Sequence, residues 1–502
     1  MSTQPKKVLI ANRGEIAVRI FRAAQALGID TVGLRAQDEH GAPHALRCDE
    51  LVVLPGTGPA AYLEIDAILD AAAVTGATAI HPGYGFLSER ADFARACAAA
   101  EITFVGPEPA TLELFGNKTS ARRVAVEQEV PVLPGTAGPA SQAEMADFLA
   151  AQDAPIMVKA IAGGGGRGTR VVRSAGELPA AFAQCRAEAL GAFGAGDLYA
   201  ERLLTGARHL EVQLVADRAG AISHLWDRDC TVQRRHQKLV EIAPSTALPA
   251  DARARMLDSA VRLGRAARLC GVATVEFLAL PDGTFYFVEV NPRLQVEHTV
   301  TELVTGVDLV LAQLRLAAGA TLAELGLDRS PGSSGTAVQV RVNAETSRPD
   351  GSVLPAAGTI TGFEVPTGAG VRVDTAARAG APVDPRFDTL LAKIVVHHRD
   401  GSAAAHRLAV RALDETTITG VPTNLALQRA LLTDPAYTAG DYDTTWVDRE
   451  LGRLIARARE TEPGADDPRT RSGGAPSSFA GYTGGGPAEI SAAPAFEGRG
   501  GE

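Results

Sequence analysis

Cysteine is scarce and scattered in this 502-residue chain: Cys48, Cys97, Cys185, Cys230 and Cys270 show no CxxC spacing. That argues against a structural zinc site and a disulfide framework, and only Cys230 sits inside a polar cluster. No apolar run approaches the roughly 18 residues of a membrane span. Met1-Ser-Thr-Gln-Pro-Lys-Lys7 lacks the apolar core of a signal peptide, so a cytoplasmic setting is expected. Positive charge is also in deficit, with 49 Lys and Arg against 59 Asp and Glu and a formal net charge of -10. Neither nucleic acid nor an anionic membrane is expected as the main partner, although local basic clusters remain.

What is present suits a large globular enzyme. Apolar residues make up 46% of the chain, enough for a sizeable core divided among two to four domains. Lys7 to Phe21 reads as strand, glycine turn and helix, with Gly28 as the helix stop and Thr31-Val-Gly-Leu34 as the next strand. The alternation continues through Leu51 to Leu54, a helix Leu63 to Ala73, Ala77 to Ile80 and a helix Ala91 to Ala100, which predicts a doubly wound α/β domain. Gly14 alone is no dinucleotide fingerprint. His81-Pro-Gly-Tyr-Gly-Phe-Leu-Ser-Glu89 follows a strand end, where open α/β sheets bind ligands, although its glycines could serve only to turn the chain.

A second unit, about Val130 to Leu204, centres on Ile156-Met-Val-Lys159 and Gly163-Gly-Gly-Gly-Arg-Gly168. Glycines let backbone N–H groups approach an anion, and Lys159 and Arg167 add positive charge, so a phosphate-covering loop competes with a simple hairpin tip. The pattern is not the GxxxxGK[ST] phosphate loop. The most polar stretch is Asp227-Arg-Asp-Cys-Thr-Val-Gln-Arg-Arg-His-Gln-Lys238, with five cations in eleven residues. In isolation it reads as a solvated surface, yet it lies between strands, where it could neutralise a triphosphate and an oxyanion. Helices are expected over Asp251 to Cys270 and Thr301 to Ala318, and then a β-rich end with helices to about Arg459. Residues 461–502 turn to Gly, Pro, Ser and charge, the composition of a disordered tail.

The chain is organised around Glu289-Val-Asn-Pro-Arg-Leu-Gln-Val-Glu-His298. If it is extended, Glu289, Asn291, Arg293, Gln295 and Glu297 share one face. Upstream, Thr274 to Leu280 reads as a strand and Pro281-Asp-Gly283 as a turn. A two-residue Asp282-Gly283 turn sets Glu276 opposite Glu289, where two carboxylates need a cation between them, and with the Asn291 carbonyl they suit Mg²⁺. A three-residue loop separates the glutamates unless a bulge intervenes. A solvated edge strand remains the alternative.

Together these stretches resemble a biotin carboxylase of the ATP-grasp superfamily. The resemblance rests on Ala11-Asn-Arg-Gly-Glu-Ile-Ala-Val-Arg19, His81 to Glu89, Lys159 with Gly163 to Gly168, Arg208-His-Leu-Glu-Val-Gln213, Arg228-Asp-Cys to Lys238, and Glu289 to His298, and it covers about Lys7 to Asp448. It implies an α/β and α+β multidomain protein. The expected units are a doubly wound domain (1–117), a linker and ATP-grasp lid with the glycine-rich loop (118–204), a C-terminal ATP-grasp and β-rich domain (205–460) and the tail (461–502). The implied activity is ATP- and bicarbonate-dependent carboxylation of biotin through carboxyphosphate, and fatty acid biosynthesis is one setting it fits.

The resemblance also assigns residues. Lys118, Lys159, Gly163, Gly164, Gly165, Gly166, Arg167 and Gly168 match those around the ATP phosphates, and Glu201, Arg202 and Leu204 lie on the adenine side. His209, Gln233 and His236 match residues along the ribose and phosphate path, and Glu276, Glu289 and Asn291 match Mg²⁺ or Mn²⁺ ligands. Lys238, Arg293, Gln295 and the Val296 main chain resemble the bicarbonate cradle and Glu297 the general base. Arg341 and Tyr84 correspond to the residues on the biotin enolate and beside its ring. Thr169, Arg202 and Arg90 depart from the usual Met, Lys and Asn, as does the stretch Leu34 to His44, and none of these removes a proposed catalytic group. None of Met1, Met145, Met157 and Met256 neighbours a lysine, so the Met-Lys-Met core of a biotin carrier is absent. A separate biotin carboxyl carrier protein and carboxyltransferase subunit are expected as partners, with a homodimer by family analogy. Another ATP-grasp carboxylate–amine ligase and a non-catalytic carboxylase subunit are the competing readings.

Overall fold

The computed structural model describes residues 5–162, 168–348, 350, 352–461 and 489–491. Its first sheet is parallel. Strands β1 (Lys7–Ile10), β2 (Asp30–Ala36), β3 (Glu50–Leu54), β4 (Ala79–His81) and β5 (Thr103–Phe104) lie in the order β3-β2-β1-β4-β5. Val8, Leu9 and Ile10 of the central strand are fully buried, as expected where helices cover both faces. Gly14 opens the helix Gly14–Ala26 at φ 67°, in the left-handed region.

A second, three-stranded sheet joins β6 (Ile156–Ala160), β7 (Thr169–Val172) and β8 (Leu198–Arg202) in the order β7-β6-β8, all antiparallel. Most of the expected glycine loop, Gly163, Gly164, Gly165, Gly166 and Arg167, falls outside the described residues.

The third sheet carries most of the polar machinery. It contains β9 (Arg208–Ala216), β10 (Ile222–Arg234), β11 (Gln237–Ala243), β12 (Gly271–Ala279), β13 (Phe285–Asn291) and β14 (Thr336–Asn343). Short strands β15 (Glu345–Ser347) and β16 (Val353–Pro355) make a separate ribbon, as do β17 (Gly358–Thr359) with β20 (Pro382–Val383) and β18 (Gly362–Glu364) with β22 (Thr417–Thr419). With β19 (Val371–Thr375) and β21 (Leu390–His398), the large sheet runs β13-β12-β9-β10-β11-β14-β21-β19.

Several expectations are corrected. The stretch after Glu289 is extended only to Asn291; Val296 and Glu297 form a turn into the helix His298–Thr305. The helix expected over Thr301 to Ala318 is two, His298–Thr305 and Leu309–Ala317, because Gly306 at φ 72° closes the first and the Asp308 carboxylate caps the second. The helix expected to reach Cys270 ends at Ala266, and Gly271 opens β12. The polar segment 227–238 is no solvated surface, since it forms β10 and β11 and fully buries Arg228 and Arg234. Paired buried carboxylates, Glu211 for Arg228 and Glu345 for Arg234, permit this. Within the expected tail, Glu489–Ser491 forms β23 and pairs in parallel with the edge strand β3, while residues 462–488 and 492–502 lie outside the described residues.

Candidate active site

Four charged residues form a row across four adjacent strands. Glu289 on β13 faces Glu276 on β12, Glu276 faces Glu211 on β9, and Glu211 faces Arg228 on β10. The β12–β13 loop is the three-residue form, closed by the Leu280 N–H donating to the Thr284 carbonyl at 2.8 Å. That register alone would separate the glutamates. An irregularity after Glu276 pairs Phe277 with Phe287 and skips Val288, and this bulge returns Glu289 to the face of Glu276.

Lys238 sits over this row. Its ammonium lies 2.7 Å from Glu211 Oε2, 3.2 Å from Glu276 Oε1 and 2.6 Å from Glu297 Oε1. On the other side of Glu297, Arg341 Nη2 is 3.0 Å from Oε2, while Arg341 Nε donates to Glu241 Oε1 at 2.5 Å. Burial acts to raise the Glu297 pKa, but Lys238, Arg341 and Arg228 outweigh it and hold the carboxyl well below the usual range. Glu276 is likewise lowered, with Lys238 and His209 overcoming its burial. Lys238 is raised well above an ordinary lysine because Glu211, Glu276 and Glu297 outweigh its desolvation. Burial pushes Glu241 upward against Arg341. Cys230 Sγ is 4.0 Å from Glu297 Oε1, and its burial beside Glu211 raises the thiol so far that it stays protonated.

Arg293 is held as a fork. Its Nε donates to Glu89 Oε1 at 3.1 Å, Nη1 to Gln295 Oε1 at 3.1 Å and Nη2 to Asn291 Oδ1 at 3.1 Å. Glu89 closes the loop His81 to Glu89. That loop is pinned because Asn12 Nδ2 donates to the Pro82 and Tyr84 carbonyls at 2.8 and 2.7 Å. Gly83 lies at φ 63°, and a Cβ there would sit 2.9 Å from Asn12 Nδ2, so this turn requires glycine. His81 accepts from the Gly83 N–H at 3.0 Å, and burial lowers it to about 3, leaving a neutral ring. Gln295 Nε2 is buried and has no partner among the described residues. An orphaned donor beside the Arg293 guanidinium is suited to an anionic acceptor.

The helix Lys118–Glu127 and β6 supply further cations. Asn117 caps the helix Lys118–Glu127 by accepting from the Thr119 and Ser120 N–H groups at 3.1 and 3.0 Å. Lys118 Nζ lies 3.6 Å from Glu289 Oε2, and Lys159 pairs with Glu201. Arg202 is exposed at the end of β8, its N–H on the Pro134 carbonyl at 2.8 Å, and Leu204 is half-buried just beyond. The Gly168 N–H donates to Glu188 Oε2 at 3.1 Å. His209 Nε2 is 2.9 Å from Glu276 Oε2, and Gln233 Nε2 is 3.5 Å from His209 Nδ1. His236 and Arg235 form the two-residue β10–β11 turn at φ 66° and 47°, left-handed conformations that non-glycine residues rarely adopt. Hydrogen bonds from the Arg235 N–H to Asp448 Oδ1 and Oδ2, at 3.1 and 3.3 Å, anchor the turn.

Glu276 and Glu289 offer hard oxygen donors where a divalent cation bridging phosphates would fit. Asn291 stands differently, since its Nδ2 donates to Glu276 Oε1 at 2.9 Å and its Oδ1 already accepts from Arg293. Sequence reasoning assigned no role to Glu211, Glu241, Arg228 or Glu89. Alternation along His209-Leu-Glu-Val-Gln213 was the available signal for Glu211, because His209, Glu211 and Gln213 share a face. Glu241 carries no such signal, because Leu239 two residues before it is apolar and its partner Arg341 arrives from a strand about a hundred residues away.

Comparisons with known proteins agree along most of the chain. A biotin carboxylase N-terminal domain model matches residues 4–112, a carbamoyl-phosphate synthase L chain ATP-binding domain model 117–325, and a biotin carboxylase C-terminal domain model 339–449. The chain is 38% identical to the biotin carboxylase domain of the Hydrogenobacter thermophilus 2-oxoglutarate carboxylase, solved with MgADP, ADP and bicarbonate. That match has a TM-score of 0.85 and covers 90% of this chain and 99% of the other. It is 49% identical to the biotin carboxylase domain of a single-chain bacterial carboxylase, with a TM-score of 0.81 and the same two coverages. Pyruvate carboxylase of Aspergillus niger is 44% identical over 454 residues, which is 89% of this chain and 38% of that relative. The mitochondrial enzyme of Mus musculus is 45% identical over 448 residues, 88% of this chain and again 38% of its length.

Proposed function

The chain belongs to the biotin carboxylase family, and from that premise we propose that it uses ATP and bicarbonate to carboxylate biotin at N1′. The observation that carries the reading is Glu297 held between Lys238 and Arg341 beside the unpartnered Gln295 donor. Bicarbonate is a poor electrophile, so its oxygen must first attack the γ-phosphorus of ATP and release ADP, giving carboxyphosphate. Arg293, Gln295, Lys238 and the Val296 main chain would orient bicarbonate for that attack.

Glu297 would take the bicarbonate proton. While Lys238 and Arg341 both pair with it they hold it ionised, and it is a weak base. An anion drawing Lys238 donors onto itself raises the basicity of Glu297 as the substrate arrives. Carboxyphosphate then gives CO₂ and phosphate. The phosphate takes the N1′ proton of biotin, Arg341 stabilises the enolate oxygen with its planar fork, and N1′ attacks CO₂. Tyr84 would lie beside the biotin ring.

On the nucleotide side, Lys118, Lys159, the Gly163 to Gly168 loop and His236 would hold phosphates, His209 and Gln233 the ribose, and Glu201, Arg202 and Leu204 the adenine. Glu276 and Glu289, helped by Asn291, would hold Mg²⁺ or Mn²⁺, which when bound neutralises phosphate charge.

The chain spans 38% of the pyruvate carboxylase relatives it matches, so the final acceptor is a separate question. Relatives with this architecture are named for pyruvate, 2-oxoglutarate and long-chain acyl-CoA, which indicates that the architecture serves biotin carboxylation rather than one acceptor. Fatty acid biosynthesis is thus one setting among several. We place biotin on a separate carrier chain that hands it to a carboxyltransferase, against the single-chain arrangement of some relatives; a pull-down of biotinylated protein tells the two apart. A homodimer is part of the same reading, checked by light scattering. No helix among the described residues is long and apolar enough to cross a membrane, and a cytoplasmic setting is consistent with that.

Steady-state ADP release tests the reaction itself. Release that requires bicarbonate and rises with free biotin is expected. Release indifferent to biotin but stimulated by another carboxylate would move the chain to the carboxylate–amine ligases.

A further inference from the structure

Lys393 is completely buried, and none of the roles above uses it. On β21 it stands directly opposite Arg341 of β14 and Asp374 of β19, so the three side chains share the face that carries Glu241. Its ammonium donates to the Val296 carbonyl at 3.1 Å and lies 3.1 Å from Glu15 Oε2 and 3.9 Å from Asp374 Oδ2. Glu15, in the first turn of the helix Gly14–Ala26, accepts the Tyr84 hydroxyl on its other oxygen. One cation therefore touches the turn between Gln295 and Glu297 and, through a single carboxylate, the loop carrying Tyr84.

A buried ammonium is costly unless its acceptors compensate it, and packing alone would be served by an apolar side chain of the same volume. Here its hydrogen-bond acceptor, the Val296 carbonyl, and its nearest carboxylate, Glu15, both adjoin groups of the site. The Val296 carbonyl belongs to the peptide that joins Val296 to Glu297, so fixing its plane fixes where the Glu297 side chain starts. Glu15 offers Tyr84 its acceptor and nothing else among the described residues pairs with that hydroxyl.

We propose that Lys393 is a positioning residue that locks the bicarbonate wall, through Val296, to the biotin wall, through Glu15 and Tyr84. The proposal rests on the reaction assigned above. It requires that disturbing Lys393 be felt by bicarbonate and biotin together and not by the nucleotide, none of whose assigned groups is paired with Lys393.

The test is Lys393→Met in the full chain, with MgATP, bicarbonate and free biotin varied in turn and folding checked by circular dichroism. KM for bicarbonate and for biotin should each rise about tenfold or more, while KM for ATP stays within about twofold. Tyr84→Phe should cost at least about fivefold less in the Lys393→Met background than in the wild type, as coupled residues do. Should Lys393→Met fail to fold, Glu15→Gln replaces it; KM for bicarbonate should still rise, although Glu15 does not touch Val296. A folded variant with all three KM values unchanged or raised in step, or effects that simply multiply with Tyr84→Phe, would overturn the proposal. Wild-type ADP release indifferent to biotin would instead count against the assigned reaction, which separates the two failures.

Discussion

Glu276 and Glu289 face each other across β12 and β13, although the three-residue loop joining those strands would place them on opposite faces without the bulge at Val288. Two carboxylates so placed repel. They are tolerated because Lys238 approaches Glu276 at 3.2 Å and Lys118 approaches Glu289 at 3.6 Å. A divalent cation that drew both glutamates together would release those lysines toward phosphate.

Glu276→Gln and Glu289→Gln should therefore each weaken Mg²⁺-dependent nucleotide binding, by about tenfold or more. Isothermal titration with ADP, with and without Mg²⁺, reads this. Variants that lose ADP affinity equally in both conditions would show that the pair supports the fold rather than the metal.

Lys238 compensates three carboxylates at once, so Lys238→Met should destabilise the chain by about 3 kcal/mol near neutral pH. The sign with pH follows from the charges left behind. Glu276 and Glu297 would then sit buried with less compensation, and their folded-state pKa values would rise. A carboxylate raised in the folded state costs stability as pH climbs through that value, so the deficit should shrink toward pH 5 and grow toward pH 8. Thermal melts across that range check it. A pH-independent deficit would argue that Lys238 contributes packing alone.

Activity should respond to pH in a related way. Glu297 is held well below the usual carboxylate range by Lys238, Arg341 and Arg228 against its burial, so the wild-type kcat/KM for bicarbonate should show no acidic limb from this group above about pH 5. Removing one of the cations with Arg341→Met lets the pKa rise. An acidic limb should then enter from lower pH, beside a large loss in biotin carboxylation. An unchanged profile at reduced rate would detach Arg341 from Glu297 in function.

Much of this arrangement was legible in the sequence because it depends on local pattern. Strand and helix alternation up to Ala100 follows from hydrophobic periodicity and glycine stops, and the segment holding Arg293, Gln295 and Glu297 stands out by its polar residues. Other features depend on contacts that no local window contains. The bulge at Val288 has no glycine to mark it, so the sequence leaves two registers open and only the strand pairing decides between them. Burial of Arg228 is decided by Glu211, seventeen residues earlier, together with Thr274 and Thr301. Lys393 and Glu15 are separated by most of the chain and meet only because β21 and the first helix close on the same turn. The glycine loop was legible as a phosphate cover by composition, and its geometry lies outside the described residues.

The most direct test of Glu297 as the proton acceptor is turnover of Glu297→Gln with saturating MgATP, bicarbonate and free biotin. The glutamine keeps the shape and loses the base. ADP release should fall by about a hundredfold or more, with nucleotide affinity by calorimetry near that of the wild type. Wild-type turnover by this variant would contradict the assigned chemistry.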